Sequence, residues 1–208
     1  MMLPRAVFFD LDNTLVHRDA SIDLYARRFW RDFGDAIDGG GEAHVAELVK
    51  CCDNGGYLPA GSPFTSIKQA VSHGLKTQIV WRQAVEQDAL LDHWERHNAV
   101  CTAAMPGAAE AVGFLAANGV RVGVISNGSH RTRLEKVAQL PFAAAIELTV
   151  SSESAGVKKP DAAIFRLAAA ALGVAPVWLS GFHAWPADAA PPPRQLASLA
   201  QLADFSAR

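Results

Sequence analysis

At 208 residues, half of them hydrophobic and 19% charged, the chain can bury a core but is too short for much more than one domain carrying an insertion. Lys and Arg number 19 against 21 Asp and Glu, a formal net charge of −2 with both signs interspersed, which excludes the broad basic surface of a nucleic-acid or anionic-membrane binder. Any anionic ligand must therefore be held locally. Cys51, Cys52 and Cys101 form no CxxC pair, so neither a cysteine zinc site nor a disulfide framework is implied. No apolar run approaches the ~18 residues of a membrane span, and an acid at Asp10 comes too early for a secretory leader. The chain reads as cytoplasmic.

In chain order, Ala6, Val7, Phe8 and Phe9 form a short apolar run that stops at Asp10, Leu11, Asp12, Asn13 and Thr14, the pattern of a buried strand ending in a polar turn. Ser21 is expected to cap a helix in which Ile22, Tyr25, Ala26, Phe29, Trp30 and Phe33 recur at helical spacing and Gly34 stops the run. Residues 42–52 and a long stretch near 76–97 continue the helical pattern, with loops at 39–41 and 53–63. Pro106 and Gly107 open a further helix with Ala108, Val112, Leu115 and Ala116 on one face. Residues 120–126 read as a second strand, Asn127, Gly128 and Ser129 as its turn, 131–139 as a helix and 144–151 as a third strand. Lys159, Pro160 and Asp161 start a helix with Ile164, Leu167, Ala168, Ala171 and Leu172 apolar, Gly173 closes it, and 177–180 is a fourth strand. Pro191, Pro192 and Pro193 are expected to be polyproline II. The alternation implies an α/β fold, a Rossmann-like parallel sheet of about four strands built from residues 1–15 and 105–208. Residues 16–104 form an all-helical domain inserted into it. Polar residues at the strand C-termini are where a ligand should sit.

Asp10 and Asp12 lie two apart in an extended segment, so both carboxylates project to one side at the end of a strand, where one can serve as nucleophile and the other as acid and base; the same pattern also suits a polar turn. Ser126, Asn127 and Gly128 offer a hydroxyl and main-chain N–H groups at a helix start, as does an ordinary turn, and Lys159 precedes another helix. Taken in order, DxDxT after the first strand, a helical insertion, Ser-Asn after the second, then Gly156 through Asp161 before a helix resemble the haloacid dehalogenase superfamily, in its phosphatase branch with a helical cap. The resemblance runs over about residues 6–180. It implies that Asp10 is the nucleophile, forming an aspartyl-phosphate and binding Mg²⁺, and that Asp12 protonates the leaving oxygen, then activates water, with its main-chain carbonyl on the metal. It further implies that Thr14 supports the loop, that Ser126, Asn127 and Gly128 hold the phosphoryl oxygens, and that Lys159, rather than Lys158, neutralises charge. The dehalogenating members that this pattern resembles carry a non-acidic residue at the place of Asp12, so the acid favours phosphoryl chemistry.

The sequence departs from that pattern after the fourth strand. Phe182 follows Gly181 where the family has an acid that ligates Mg²⁺, and a benzyl group cannot bind a hard cation. Asp188 is the first replacement to consider, then Glu153 or water; His183 is a poor ligand for Mg²⁺. The family's fifth strand is also expected to be absent, with 195–204 a terminal helix, leaving the fourth strand as an open edge that Trp178, Phe182 and Trp185 could cover or use in a homodimer. His93 and His97 stand at i, i+4 on a helix, but no third metal ligand is evident; Cys51 and Cys52 read as buried packing. No GxSxG, P-loop or GxGxxG is present. The reading is a Mg²⁺-dependent phosphatase for a small phosphorylated metabolite, with residues 54–63 of the cap approaching the substrate. The alternative is an inactive or weak relative that binds a phosphorylated ligand or a protein partner.

Overall fold

Parallel strands need a long crossover between them, and the first crossover here contains the whole helical insertion. A computed structural model describes residues 3–175 and the backbone of two short strands at 178–179 and 195–196. The chain divides into two compact units, Val16–Met105 on one side and Met1–Leu15 with Pro106–Arg208 on the other.

In the second of these units β1 (Ala6–Phe9), β2 (Arg121–Ser126) and β3 (Ile146–Ser151) form a parallel sheet in the order β1-β2-β3. The β1–β2 register sets Phe9 opposite Val124, and the β2–β3 register sets Ser126 opposite Ser151. β2 is the central strand, and Val122, Val124, Ile125 and Ser126 are all buried. α5 (Ala108–Ala117) leads into β2, α6 (His130–Ala138) connects β2 to β3, and α7 (Ser152–Ala155) and α8 (Ala162–Ala171) follow. α8 presents Ile164 and Ala168 to Ile125 and Val150, whereas Leu167 and Ala171, expected on the same face, are exposed. The buried stripe is therefore turned toward Ala162, Ala169 and Leu172.

The fourth strand departs from expectation. β4 (Trp178–Leu179) lies outside the three-stranded sheet and pairs in parallel with β5 (Gln195–Leu196), so a fifth strand exists where a helix start was expected. The pairing satisfies backbone groups that an open edge would have left for another partner. Among the described residues no strand lies on the other side of β1. Phe182, His183, Trp185 and Asp188 and the Pro191–Pro193 run lie outside the described residues.

The helical unit contains α1 (Arg18–Phe33), α2 (Glu42–Asp53), α3 (Ile67–Gln78) and α4 (Gln87–His97). Its core is Ile22, Tyr25, Ala26 and Phe29 of α1 packed with Val49, Leu75, Leu90 and Trp94. α1 begins before Ser21. His17 is its cap, its Nδ1 accepting from the Ala20 N–H, while Ser21 lies buried inside the helix, donating to the His17 carbonyl and accepting from the Ala103 N–H. The expected long helix near 76–97 is interrupted because residues 79–82 run extended against 36–38: Ile37 bridges Trp81, the Asp38 N–H donates to Val80 and the Arg82 N–H to Ala36. Arg18 clamps the buried Asp53 with two hydrogen bonds of 2.6 and 2.7 Å, joining the start of α1 to the end of α2. Cys51 is exposed and Cys52 half-buried, its sulfur lying over Gly74, so only one of the pair takes part in packing. The entering and leaving chains meet as an antiparallel bridge between Val16 and Ala104, with the His17 N–H on the Ala103 carbonyl at 2.9 Å. No helix among the described residues is long and apolar enough to cross a membrane.

In the three-stranded sheet the Phe8 ring packs directly over Gly123, where an added Cβ would lie 2.5 Å from it. Gly123→Val is expected to lower stability by about 1–3 kcal/mol, the cost of overpacking, measured by urea denaturation.

Candidate active site

β1 ends at Phe9, so Asp10 emerges at the C-terminal end of the sheet, one residue beyond the register pair with Val124. Leu11 turns inward and is fully buried, which sends Asp10 and Asp12 to the opposite side. The turn closes on the Leu11 carbonyl, which accepts from Thr14 and Leu15 at 3.3 and 3.0 Å, with Asn13 in the left-handed region at φ 61. Thr14 is exposed and supports the loop through its main-chain N–H.

Lys159 reaches this strand end from the segment before α8. Its Nζ donates to Asp10 Oδ1 at 2.6 Å and to the Ile125 carbonyl at 2.8 Å, bridging the ends of β1 and β2. Its own backbone is fixed by Asn127, whose Oδ1 accepts from the Lys159 N–H at 2.8 Å and whose Nδ2 donates to the Lys159 carbonyl at 3.1 Å. Lys158 is exposed, and its carbonyl accepts from the Asp161 N–H. Asp161 then caps α8 by accepting from the Ala163 N–H.

Two further cations face Asp12, and the sequence reading did not identify either. Lys136, 3% exposed, donates to Asp12 Oδ1 at 2.6 Å, and Arg133 approaches Asp12 Oδ2 at 3.4 Å. Arg133 also donates twice to the Asn127 carbonyl, at 3.0 and 2.6 Å. Gly128 is required beneath it: φ is +131, and a Cβ there would lie 2.3 Å from the guanidinium. The available signal was a basic pair at i, i+3 on the helix after the Ser-Asn turn, which is also the pattern of an ordinary solvated face.

At the turn after β2, one of the main-chain groups expected to meet a phosphate is engaged within the protein. Ser126 lies buried at the end of β2. The Gly128 N–H donates to Ser152 Oγ at 2.9 Å, so it is already used. Glu153 accepts from the His130 N–H at 2.8 Å, placing one of its carboxylate oxygens on the start of α6. Ser126 and Asn127 thus stand at the C-terminal end of β2, next to the strand end that carries Asp10.

A model of haloacid dehalogenase-like hydrolases matches residues 4–178. The chain belongs to that family. It is 32% identical over 169 residues to a phosphoglycolate phosphatase of Cereibacter sphaeroides, a span of 80% of this chain and 71% of the relative. Its fold is similar to a dehalogenase crystal structure at 19% identity and TM-score 0.55, covering 97% of this chain and 96% of that one. It is likewise similar to the L-2-haloacid dehalogenase of Xanthobacter autotrophicus at 18% identity and TM-score 0.57, covering 85% and 69%.

The donors present suit a hard cation held mainly by water and substrate oxygens, the usual coordination of Mg²⁺. Lys159 takes Oδ1 of Asp10, and the carboxylate is 45% exposed, leaving Oδ2 accessible beside the Asp12 main chain on the same turn. Asp188, the remaining expected ligand, lies outside the described residues.

Lys136→Met leaves the partly buried Asp12 carboxylate without its 2.6 Å ammonium contact. A loss of about 3 kcal/mol is expected from breaking a buried ion pair on one side, read as a lowered midpoint in chemical denaturation.

Proposed function

We propose that the chain is a phosphatase that hydrolyses a small phosphorylated metabolite through an aspartyl-phosphate on Asp10. The observation that carries this reading is the Lys159 ammonium on Asp10 at the end of β1, beside Ser126 and Asn127. Asp10 attacks phosphorus in line with the departing ester oxygen, which takes a proton from Asp12. Asp12 then accepts a proton from water as that water attacks the acyl phosphate, releasing inorganic phosphate and restoring Asp10. Ser126 Oγ and the Asn127 N–H hold the phosphoryl oxygens, and Lys159 offsets charge that would otherwise repel the carboxylate nucleophile. To act as the acid, Asp12 turns away from Lys136 and Arg133, which hold its carboxylate in the substrate-free arrangement, and takes up the proton from solvent before giving it to the leaving oxygen. Mg²⁺, held by Asp10 and the Asp12 carbonyl, would supply further neutralisation of phosphoryl charge.

The relative's name makes 2-phosphoglycolate the first substrate to test. The acid at Asp12 favours phosphoryl transfer over dehalogenation, and the small net charge favours a small molecule over a nucleic acid, in the cytoplasm. A second reading, a phosphate-binding relative with little turnover, is favoured by one specific feature. Asp12 is engaged by two cations, and the sequence has Phe182 at the position where the resemblance implies a metal-ligating acid.

Wild-type protein with Mg²⁺ is expected to hydrolyse p-nitrophenyl phosphate and 2-phosphoglycolate, and Asp10→Asn to reduce both to background. Turnover that survives Asp10→Asn overturns the covalent mechanism. Background turnover by the wild type, with phosphate binding retained in calorimetry, selects the second reading.

A further inference from the structure

The helical unit holds a second set of metal-binding groups that the phosphatase reading does not use. His93 and His97 stand one turn apart on α4, and Asp32, near the end of α1, supplies the third ligand that the sequence pattern lacked. The geometry points to a transition-metal site formed by Asp32, His93 and His97, suited to Zn²⁺. One ligand atom from each residue lies within 4.8 Å of the other two. His93 Nε2 is 3.2 Å from Asp32 Oδ2, close to the ~3.4 Å that separates two ligands on a tetrahedral zinc with bonds near 2.1 Å. The His97 ring centroid lies 4.5 Å from that of His93, with the two rings inclined at 57°, and the His97 side chain is partly exposed.

The surrounding contacts resemble the outer shell of a metal site. His93 is buried, and its Nδ1 meets the Tyr25 hydroxyl at 3.0 Å, which fixes the ring plane. A neutral imidazole carries one proton. When Nε2 binds the metal, that proton resides on Nδ1 and is donated to the Tyr25 oxygen, so the exchange needs no net proton. Arg28 Nε donates at 2.6 Å to Asp32 Oδ2, the oxygen that faces His93, and Arg31 Nε donates to Oδ1 at 3.1 Å, so a metal would take a remaining lone pair of Oδ2 or displace Arg28 from it. They oppose a cation by charge, yet a carboxylate has about four lone-pair sites, and ligating carboxylates are commonly held by such donors. Arg96, the other nearby cation, pairs with Asp92 at 3.7 Å. Two imidazoles and one carboxylate favour zinc or a neighbouring first-row ion over Mg²⁺, so the site differs in metal preference from the strand-end carboxylates.

The test is titration of metal-free full-length protein with Co²⁺, then Zn²⁺, with excess Mg²⁺ present to occupy oxygen-only sites. One equivalent of Co²⁺ giving d–d absorption, and displaced by Zn²⁺, is expected for the wild type and for Asp10→Asn. His97→Ala and Asp32→Asn, at positions outside the buried core, should each weaken binding at least ten-fold, and Tyr25→Phe should weaken it while retaining the spectrum. Absence of a stoichiometric Co²⁺ signal overturns the proposal, as does unchanged binding in His97→Ala and Asp32→Asn.

Discussion

One ammonium group joins the ends of two strands, and the remainder of the strand-end site is arranged around it. Lys159 Nζ donates simultaneously to the Asp10 carboxylate and the Ile125 carbonyl, so the nucleophile of the proposed reaction and the floor of β2 share a donor. A charge-assisted hydrogen bond is about twice as strong as a neutral one, but a lysine side chain has four rotatable bonds to fix. Asn127 fixes the main chain from which that side chain extends, holding both the lysine's N–H and its carbonyl. The residue after β2 thus positions Lys159 in the segment that leads into α8.

Asp12 sits in a different electrostatic setting from Asp10. Its carboxylate is largely enclosed and faces a buried ammonium and a guanidinium, whereas the Asp10 carboxylate is nearly half exposed. Two acids only two residues apart are thereby given unequal freedom, one nearly half exposed and the other restrained until something competes for its cations. A phosphate monoester, carrying two negative charges near neutral pH, is such a competitor for Lys136 and Arg133. On the proposed reaction path, substrate entry and release of Asp12 are then linked by charge.

The parts of this architecture readable from sequence are those governed by short-range pattern. β1, β2 and β3 follow from β-branched and aromatic runs, and α1 from the spacing of Ile22, Tyr25, Ala26 and Phe29. What escaped depends on residues far apart in the chain. The break between α3 and α4 arises because residues 79–82 find extended partners at 36–38, which no local periodicity encodes. Ser21 has the chemistry of a cap, but His17 takes that place while Ser21 reaches the returning strand at Ala103. β4 was legible as a strand, though not its neighbour, because alternation determines which side chains share a face and not which strand lies alongside. Lys136 and Arg133 looked like surface charge until the fold brought Asp12 to them, and Asp32 likewise needed α1 packed on α4 before it could join the two histidines.

The bridge between Val16 and Ala104 has an evolutionary consequence. The polypeptide leaves and returns at adjacent backbone positions, with the His17 N–H only 2.9 Å from the Ala103 carbonyl. Nearly ninety residues are thus inserted across a gap that a tight turn could span, and the entropy of closing such a gap depends only weakly on what lies within it. The helical unit is in this sense a cassette. Helices can be added, lost or exchanged between those two positions without altering the register of β1 on β2, so the two parts of the chain can accumulate changes under separate selection.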